Sequence, residues 1–433
     1  MKKRIVITGL GAVTPVGNDV ESFWRSLVEA RSGVSVMQAE TSDDLLPTYV
    51  AKVKEFDPGR IGLPSRKLKM MGRPAQLMLA AAAEAGRMAG LDGNTNESLL
   101  ERCGIVVGVG MLNADISEFV RTLKSAQNSL PNGSDQIDVE YFSRAAATEM
   151  FPLWLLRHIP NMVAAHTGIM LKIRGVSNTV MNGCASAAFA IGESIRVIER
   201  GEADVMLAAG VDSRVNSMSV LRYIKLGWQV EGTDDDPATV CKPFDRNAAG
   251  FVSGEAAGVL VLEEYRHAVE RGATILAEIS GCGAGNDAYD VFHPHPQGRG
   301  LSKAISNCLG RDDQNIQIPE AVFASANGIQ EYDAATAQAL KVSFNAYGIT
   351  PTVTATRSLI GHTHAASFAL DAIAAVKALN DNIVPPTINL ENPIDDFDFV
   401  LDKPRARPIP AAMVTGYGIG GHAGALLIQG CEK

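Results

Sequence analysis

The chain has 433 residues and a net charge of −9, from 39 basic and 48 acidic side chains. Hydrophobic residues make up 46% and charged residues 20%, which excludes a disordered, collagen-like or coiled-coil chain and allows a large core without disulfides. The acidic balance argues against a general nucleic-acid binder and leaves a local basic patch as the route to an anionic partner.

The first predicted element is a strand. Met1-Lys2-Lys3-Arg4 followed by IVITGLGAV mimics a short signal peptide, but Thr8 and Gly9 interrupt the apolar run and Pro15 follows. A buried strand over 4–9 is the better reading. Gly9-Leu10-Gly11 hints at a dinucleotide fingerprint. The third glycine is missing and no ribose-binding acid follows, so a tight turn is preferred. Arg66-Lys67-Leu68-Lys69 is a basic run of the kind that normally forms a solvated face.

Helix and strand patterns then alternate. AQLMLAAAAEAGRMAG (75–90) has good helix formers at 3–4 spacing. GIVVGVG (104–110), VMLAAG (205–210), GVLVLEE (258–264), ILAEISG (275–281), AVFASANG (321–328) and GALLIQG (424–430) are short, apolar and not strictly alternating. That pattern suits central strands covered on both faces. Strands alternating with helices predict an α/β protein with layered sheets. The stretch 111–165 looks like an insertion and carries a polar segment at 128–136.

Cys184 lies between Gly183 and Ala185-Ser186-Ala187, where a predicted helix over 186–201 begins. Unpaired N–H groups and the positive end of the helix dipole favour a thiolate there, and small neighbours leave room for a substrate. The alternative is a buried small hydrophobe, the commoner role of cysteine. Cys103, Cys241, Cys282, Cys308 and Cys431 form no C-x-x-C pair with it or with each other. A reducing cytoplasm is expected, with neither a disulfide framework nor a zinc pattern.

His362 follows Gly361 at a second alanine-rich helix, and His364 lies two residues on. Such a histidine is more often structural than catalytic. No carboxylate or cysteine cluster completes the pairs His293/His295 or His362/His364 as a metal set, so no metal is expected. The segment 408–431 carries no formal charge and is long enough to span a bilayer. Its six glycines, Thr415, His422 and Gln429 instead predict a glycine-rich turn feeding a buried strand, and no membrane segment. The two helix starts echo each other, as do AAGVLVLEE and HAGALLIQG. These echoes predict two related halves, 1–264 with the cysteine and the insertions, and 265–433 with the Asn/His motifs.

Five ordered segments together resemble the β-ketoacyl-acyl carrier protein synthases of the type II class. They are RIVITGLGAVTPVGNDVESFW (4–24), NGCASAAFAIGESIRVIERGEADVMLAAG (182–210), KPFDRNAAGFVSGEAAGVLVLEEY (242–265), TRSLIGHTHAAS (356–367) and TGYGIGGHAGALLI (415–428). The resemblance implies a thiolase-like, five-layered αβαβα fold. It implies acyl transfer to Cys184, then decarboxylative Claisen condensation with malonyl-acyl carrier protein, in fatty-acid or polyketide synthesis. The backbone N–H groups of Cys184 and Ile419 would form the oxyanion hole, with Ile419 also at the gate in place of the usual aromatic residue. His362 would hydrogen-bond the malonyl thioester oxygen. Substrates ride on the phosphopantetheine of acyl carrier protein, and no separate cofactor is implied. A homodimer or a ketosynthase-like heterodimer would be the assembly.

The departures from the family pattern are specific. SANGIQEYDAATAQAL (325–340) places Asn327 at the family's first histidine, with Ile329 and Glu331 where threonines would contact the pantetheine arm. Asparagine donates a hydrogen bond but carries no proton as a base. Hence a non-elongating transacylase, or a chain-length-factor-like partner subunit, stands as the alternative. The family's Lys–Glu support pair aligns with Arg357 and Asp371, which are expected to form an ion pair beside the site. Arg66, Lys67, Lys69 and Arg73 are the expected docking cations for the acidic carrier protein. Segments 111–150 and 211–241 match the family poorly, so chain-length preference does not carry over.

Overall fold

The computed structural model describes residues 3–37, 48–91, 97–110, 117–128, 136–310 and 318–431. Of the polar segment 128–136, residues 129–135 lie outside the described residues. Eleven strands form one hydrogen-bonded sheet. In chain order they are β1 (Ile5–Val13), β2 (Cys103–Val109), β3 (Ser177–Val180), β4 (Val205–Ser213), β5 (Glu255–Glu264), β6 (Ala277–Asn286), β7 (Ala321–Phe323), β8 (Thr352–Thr354), β9 (Asp398–Phe399), β10 (Ala411–Tyr417) and β11 (His422–Gln429).

Their order repeats. The N-terminal strands run β1-β5-β4-β2-β3, and the C-terminal ones run β6-β11-β10-β7-β8 with β9 at the edge. In each set the first two pairings are antiparallel and the next two parallel. The sets join where Ile5–Ile7 of β1 pair with Ala277–Ile279 of β6. One topology is therefore used twice, with the change of set between Glu264 and Ala277.

Helices complete the layers. Between the two strand sets lie α2 (Ser186–Glu199) and α5 (Ser367–Asp381), which share one core with residues of both sets. The outer face of the N-terminal set is covered by α1 (Arg73–Met88), and that of the C-terminal set by α3 (Arg299–Leu309) and α4 (Gln330–Asn345). This is a five-layered αβαβα arrangement. Apolar residues surround α5 on all sides because strands flank both its faces, the pattern of a helix with no solvent face.

Two sequence features change meaning here. Gly9 and Gly11 serve packing: a Cβ on Gly11 would stand 1.9 Å from the carbonyl oxygen of Ala81, and one on Gly9 2.5 Å from that of Ala85. The pair lets α1 lie close on β1, which accounts for the glycines without a nucleotide. The segment 411–429 forms two antiparallel strands, β10 and β11, rather than a turn and one strand. No helix among the described residues is long and apolar enough to cross a membrane. The strand expected over 321–328 stops at Phe323. Beyond it Asn327 and Gly328 turn out of the sheet, where their N–H groups donate to the buried carboxylate of Asp333, at 2.8 and 3.0 Å.

Candidate active site

The two buried central helices begin alike. A three-residue 3₁₀ turn, Gly183–Ala185, leads into Ser186 of α2, and another, His364–Ala366, leads into Ser367 of α5. Each turn opens on a left-handed residue, Gly183 at φ 57° and His364 at φ 50°. A non-glycine residue in that region is strained, by about 1–2 kcal/mol. The matched helix starts bring Cys184 to His362, with Sγ 3.2 Å from Nε2. His362 is held from both sides by the 242–265 segment: its N–H donates to Val252 and its carbonyl accepts from Gly254.

Cys184 is the second residue of its 3₁₀ turn and Ile419 the first of another, Ile419–Gly421, both within the opening turn where backbone N–H groups have no intrahelical partner. A Cβ on Gly418 would come within 3.0 Å of the Cys184 Cβ, so only glycine lets the 418–421 turn approach the cysteine this closely.

A cleft opens over the sulfur. Its walls are Tyr223, Trp228, Phe251, Tyr332 and Tyr417, with Asn327, Ile329, His362, His364 and Ile419 completing it. Asn327 is oriented by its own turn: its Oδ1 accepts from the N–H of Ile329 at 3.0 Å. The amide Nδ2 is left as the free donor end among the described residues.

Electrostatics keep the resting site uncharged. Burial pushes the Cys184 thiol up to about 11, against a downward pull from Arg214. Burial, with Arg357 and Arg214 nearby, holds His362 well below the usual histidine range. His364 is lowered in the same way, by burial first and then by its neighbours His362, Arg214 and Arg357. Both guanidinium groups are themselves paired. Arg214 lies 3.1 Å from Asp212, and Arg357 lies 3.2 Å from Asp371.

This geometry meets an independent observation. A profile described as "Beta-ketoacyl synthase, N-terminal domain" matches residues 2–268, and one described as "Beta-ketoacyl synthase, C-terminal domain" matches residues 276–391. The chain belongs to the β-ketoacyl synthase family.

Within the family it is similar to 3-oxoacyl-[acyl-carrier-protein] synthase 2 of Synechocystis sp., at 30% identity over 97% of this chain and 96% of the relative. The protein of the same name from Coxiella burnetii is 30% identical over 99% of both chains. A solved β-ketoacyl synthase from Burkholderia phymatum superposes with a TM-score of 0.83 at 27% identity, covering 99% of this chain and 100% of that one. A structure titled "The ishigamide ketosynthase/chain length factor" superposes with a TM-score of 0.83 at 26% identity, covering 100% of each. The chain is thus an acyl-transferring condensing enzyme with a thiolase-like fold.

In this β-ketoacyl synthase the expected site residues divide. Cys184, His362, Asn327 and Ile419 line one cleft, and Arg357 pairs with Asp371 beneath it. The pair is buried, with side chains 4% and 1% exposed. Glu331 stands outside the cleft lining, paired with His293 at 2.9 Å. Arg66, Lys67 and Lys69 are exposed on and after a short helix, Ser65–Leu68. Arg73 departs from the docking expectation. Its guanidinium lies 2.8 Å from the fully buried Glu255 and over the Phe56 ring, so its charge is spent inside the protein.

Sequence reasoning missed the aromatic lining. Tyr223 and Trp228 come from the 211–241 segment that resembles the family poorly, and they pack with Phe251 as one cluster. The signal available was their composition, two large aromatics in a segment otherwise rich in charge and turn residues. It also missed Asp212 and Arg214, which lie under the helix start: the Ala365 N–H donates to Asp212 at 3.3 Å.

Proposed function

We propose that this chain is a 3-oxoacyl-acyl carrier protein synthase, using Cys184 as acyl acceptor and His362 and Asn327 as hydrogen-bond donors to the malonyl group. The observation that carries this is the 3.2 Å contact between Cys184 Sγ and His362 Nε2 at the floor of an aromatic cleft.

The thiol passes its proton to His362 Nε2 as sulfur attacks the thioester carbonyl of an acyl carrier protein. The oxyanion is received by the N–H groups of Cys184 and Ile419, which are oriented before the reaction begins. Collapse expels the pantetheine thiolate, which takes the proton back. A malonyl thioester then enters, and its terminal C–C bond breaks. Carbon dioxide leaves, and the electron pair becomes an enolate whose oxygen is held by Asn327 Nδ2–H and by His362 in its Nε2–H tautomer, reached when water takes the Nδ1 proton and gives one to Nε2 between the two stages. The enolate carbon attacks the acyl carbonyl, and the Cys184 thiolate departs and is reprotonated. A neutral imidazole suits this role because it carries one N–H to give. Asn327 supports the same step, since its acceptor end is already occupied by Ile329.

Asn327 also favours a second reading. An amide donates a hydrogen bond but does not relay a proton, so a transacylase that loads without extending is the close alternative. The Arg66, Lys67 and Lys69 stretch is the candidate docking surface for carrier protein. Assembly with a second copy, or with a chain-length partner as in the ishigamide structure's title, belongs to this reading. So do the two fused halves 1–264 and 265–433, and a reducing cytoplasm, which suits six free cysteines.

The experiment is to incubate purified protein with acyl- and malonyl-carrier protein and follow the mass of Cys184 and carbon dioxide release. An acyl adduct plus carbon dioxide is expected. An adduct without carbon dioxide leaves the transacylase, and no adduct removes both enzyme readings.

A further inference from the structure

His362 and His364 find in three dimensions the cysteine that their sequence neighbourhood lacks. One ligand atom each from Cys184, His362 and His364 lies within 4.8 Å of the others. The two imidazole rings are 4.4 Å apart, and His362 already meets the sulfur at 3.2 Å. In a tetrahedral zinc site, metal–sulfur and metal–nitrogen distances of roughly 2.3 and 2.0–2.1 Å put neighbouring ligand atoms about 3.4–3.6 Å apart. One edge of the triangle is near that spacing. The remaining closure is about 1 Å at His364, within reach of a small rotation of its ring.

A second observation marks His364. Its Nε2 is buried without a hydrogen-bond partner among the described residues, although the side chain is 1% exposed. A buried nitrogen left unpaired is destabilising until a partner satisfies it. His364 also occupies the left-handed position that glycine fills in the matching turn, at φ 50°. Tyr223 stacks parallel to the ring at 5.2 Å and Phe251 meets it edge-on at 5.4 Å, so the ring is oriented by packing. Arg214 and Arg357 disfavour positive charge at the two histidines, but each is paired with a carboxylate, Asp212 and Asp371, and a Cys184 thiolate would add a negative charge among the ligands.

We propose that Cys184, His362 and His364 form a binding site for one thiophilic divalent cation of the zinc class, with its fourth position open to the cleft. On binding, the Cys184 S–H bond breaks, the sulfur electron pair goes to the metal, and the proton leaves to water. An ion there occupies the sulfur that would accept an acyl group, so the site is a reversible block of the enzyme. That consequence rests on the proposed acyl transfer to Cys184; metal binding does not.

The test uses the full-length protein, freed of metal by a chelator that is then removed. Zinc is titrated against a chromophoric chelator, and cobalt is added separately for its absorption spectrum. One tight equivalent of zinc is expected, with a thiolate-to-cobalt charge-transfer band and the intense visible bands of a four-coordinate ion. Zinc should also slow alkylation of Cys184 by iodoacetamide at least tenfold. His364→Ala, checked for folding by its melting curve, should weaken zinc at least tenfold, whereas His293→Ala should leave it unchanged. Absence of the cobalt–thiolate band in the unaltered protein overturns the proposal, as does equal zinc affinity in a folded His364→Ala. Loss of acyl loading with intact zinc binding would sink the enzyme reading and leave the metal site standing.

Discussion

Arg357 Nη2 lies 3.2 Å from Asp371 Oδ2, and both side chains are closed off from solvent. The pair joins the short helix before His362 to the core helix α5. Arg357 also donates from Nη1 to the carbonyl of Ala324 at 2.9 Å, and Asp371 Oδ1 accepts from Thr356 at 2.5 Å. The guanidinium thus links the turn that carries Asn327 to the turn that carries His362. Asp371 is nonetheless raised above the usual carboxylate range, because burial outweighs the pull of Arg357 and Thr356. Removing one partner leaves the other charge buried alone. Arg357→Met or Asp371→Leu should each lower stability by about 3–5 kcal/mol, while the double substitution recovers most of the loss. A double-mutant cycle from urea unfolding reads this. Additive losses would mean that the two side chains act separately.

The basic stretch should behave as two groups. Reversing Arg66, Lys67 and Lys69 to glutamate should weaken carrier-protein binding, with the unaltered protein's affinity falling as salt rises and the variant's falling less. Folding should be unaffected, since these side chains are exposed. Arg73→Ala should do the opposite. It strands the buried Glu255, and a melting curve should show a loss of about 2–3 kcal/mol, below the fully buried range because Arg73 is 31% exposed. Fluorescence anisotropy with labelled carrier protein separates docking from stability.

Glu84 gives a pH dependence outside the cleft. It accepts from the N–H groups of Ala12 and Val20 at 2.9 and 2.8 Å. Burial outweighs those bonds and pushes its carboxyl up to about 7. The folded state therefore holds a proton that the unfolded chain releases near pH 4.5. Its contribution favours folding below that point and is lost as pH rises through about 7. Glu84→Gln should flatten the fall in melting temperature between pH 5 and 7.5. An unchanged slope would assign the titration to another group.

Asn327 separates the two chemical stages. Asn327→Ala removes a donor from the enolate oxygen and should cut carbon dioxide release by about 10²-fold, the usual effect of deleting one such donor. Acyl loading of Cys184 should persist in the same protein. Asn327→His should raise carbon dioxide release above the unaltered enzyme. Equal loss of loading and decarboxylation in Asn327→Ala would instead point to a collapsed cleft.

Local pattern carried much of this protein. A short apolar run, a helix start and the small residues around Cys184 are contiguous, so the strands β1, β2, β4 and β5 and the nucleophile turn were legible directly. Echoes between the two helix starts pointed to the repeated halves, and the resemblance of five ordered segments supplied the expected role of His362. Boundaries failed where a distant group intervened. β7 stops at Phe323 because Asp333, on another element, draws Asn327 and Gly328 out of the strand.

Sequence alone determined which residues have the right chemistry, because helix starts, apolar periodicity and side-chain type act over a few neighbours. Tertiary structure decided which of them meet. Arg73 was expected to dock a partner and instead neutralises Glu255, 182 positions away. Tyr223 and Trp228 became cleft walls through packing on Phe251. His362 and His364 lacked a cysteine in sequence and found Cys184, 178 positions before His362. Such pairings depend on the two strand sets of one sheet closing over two buried helices, and burial gives each contact its strength by removing the water that would otherwise satisfy those charges and ring nitrogens.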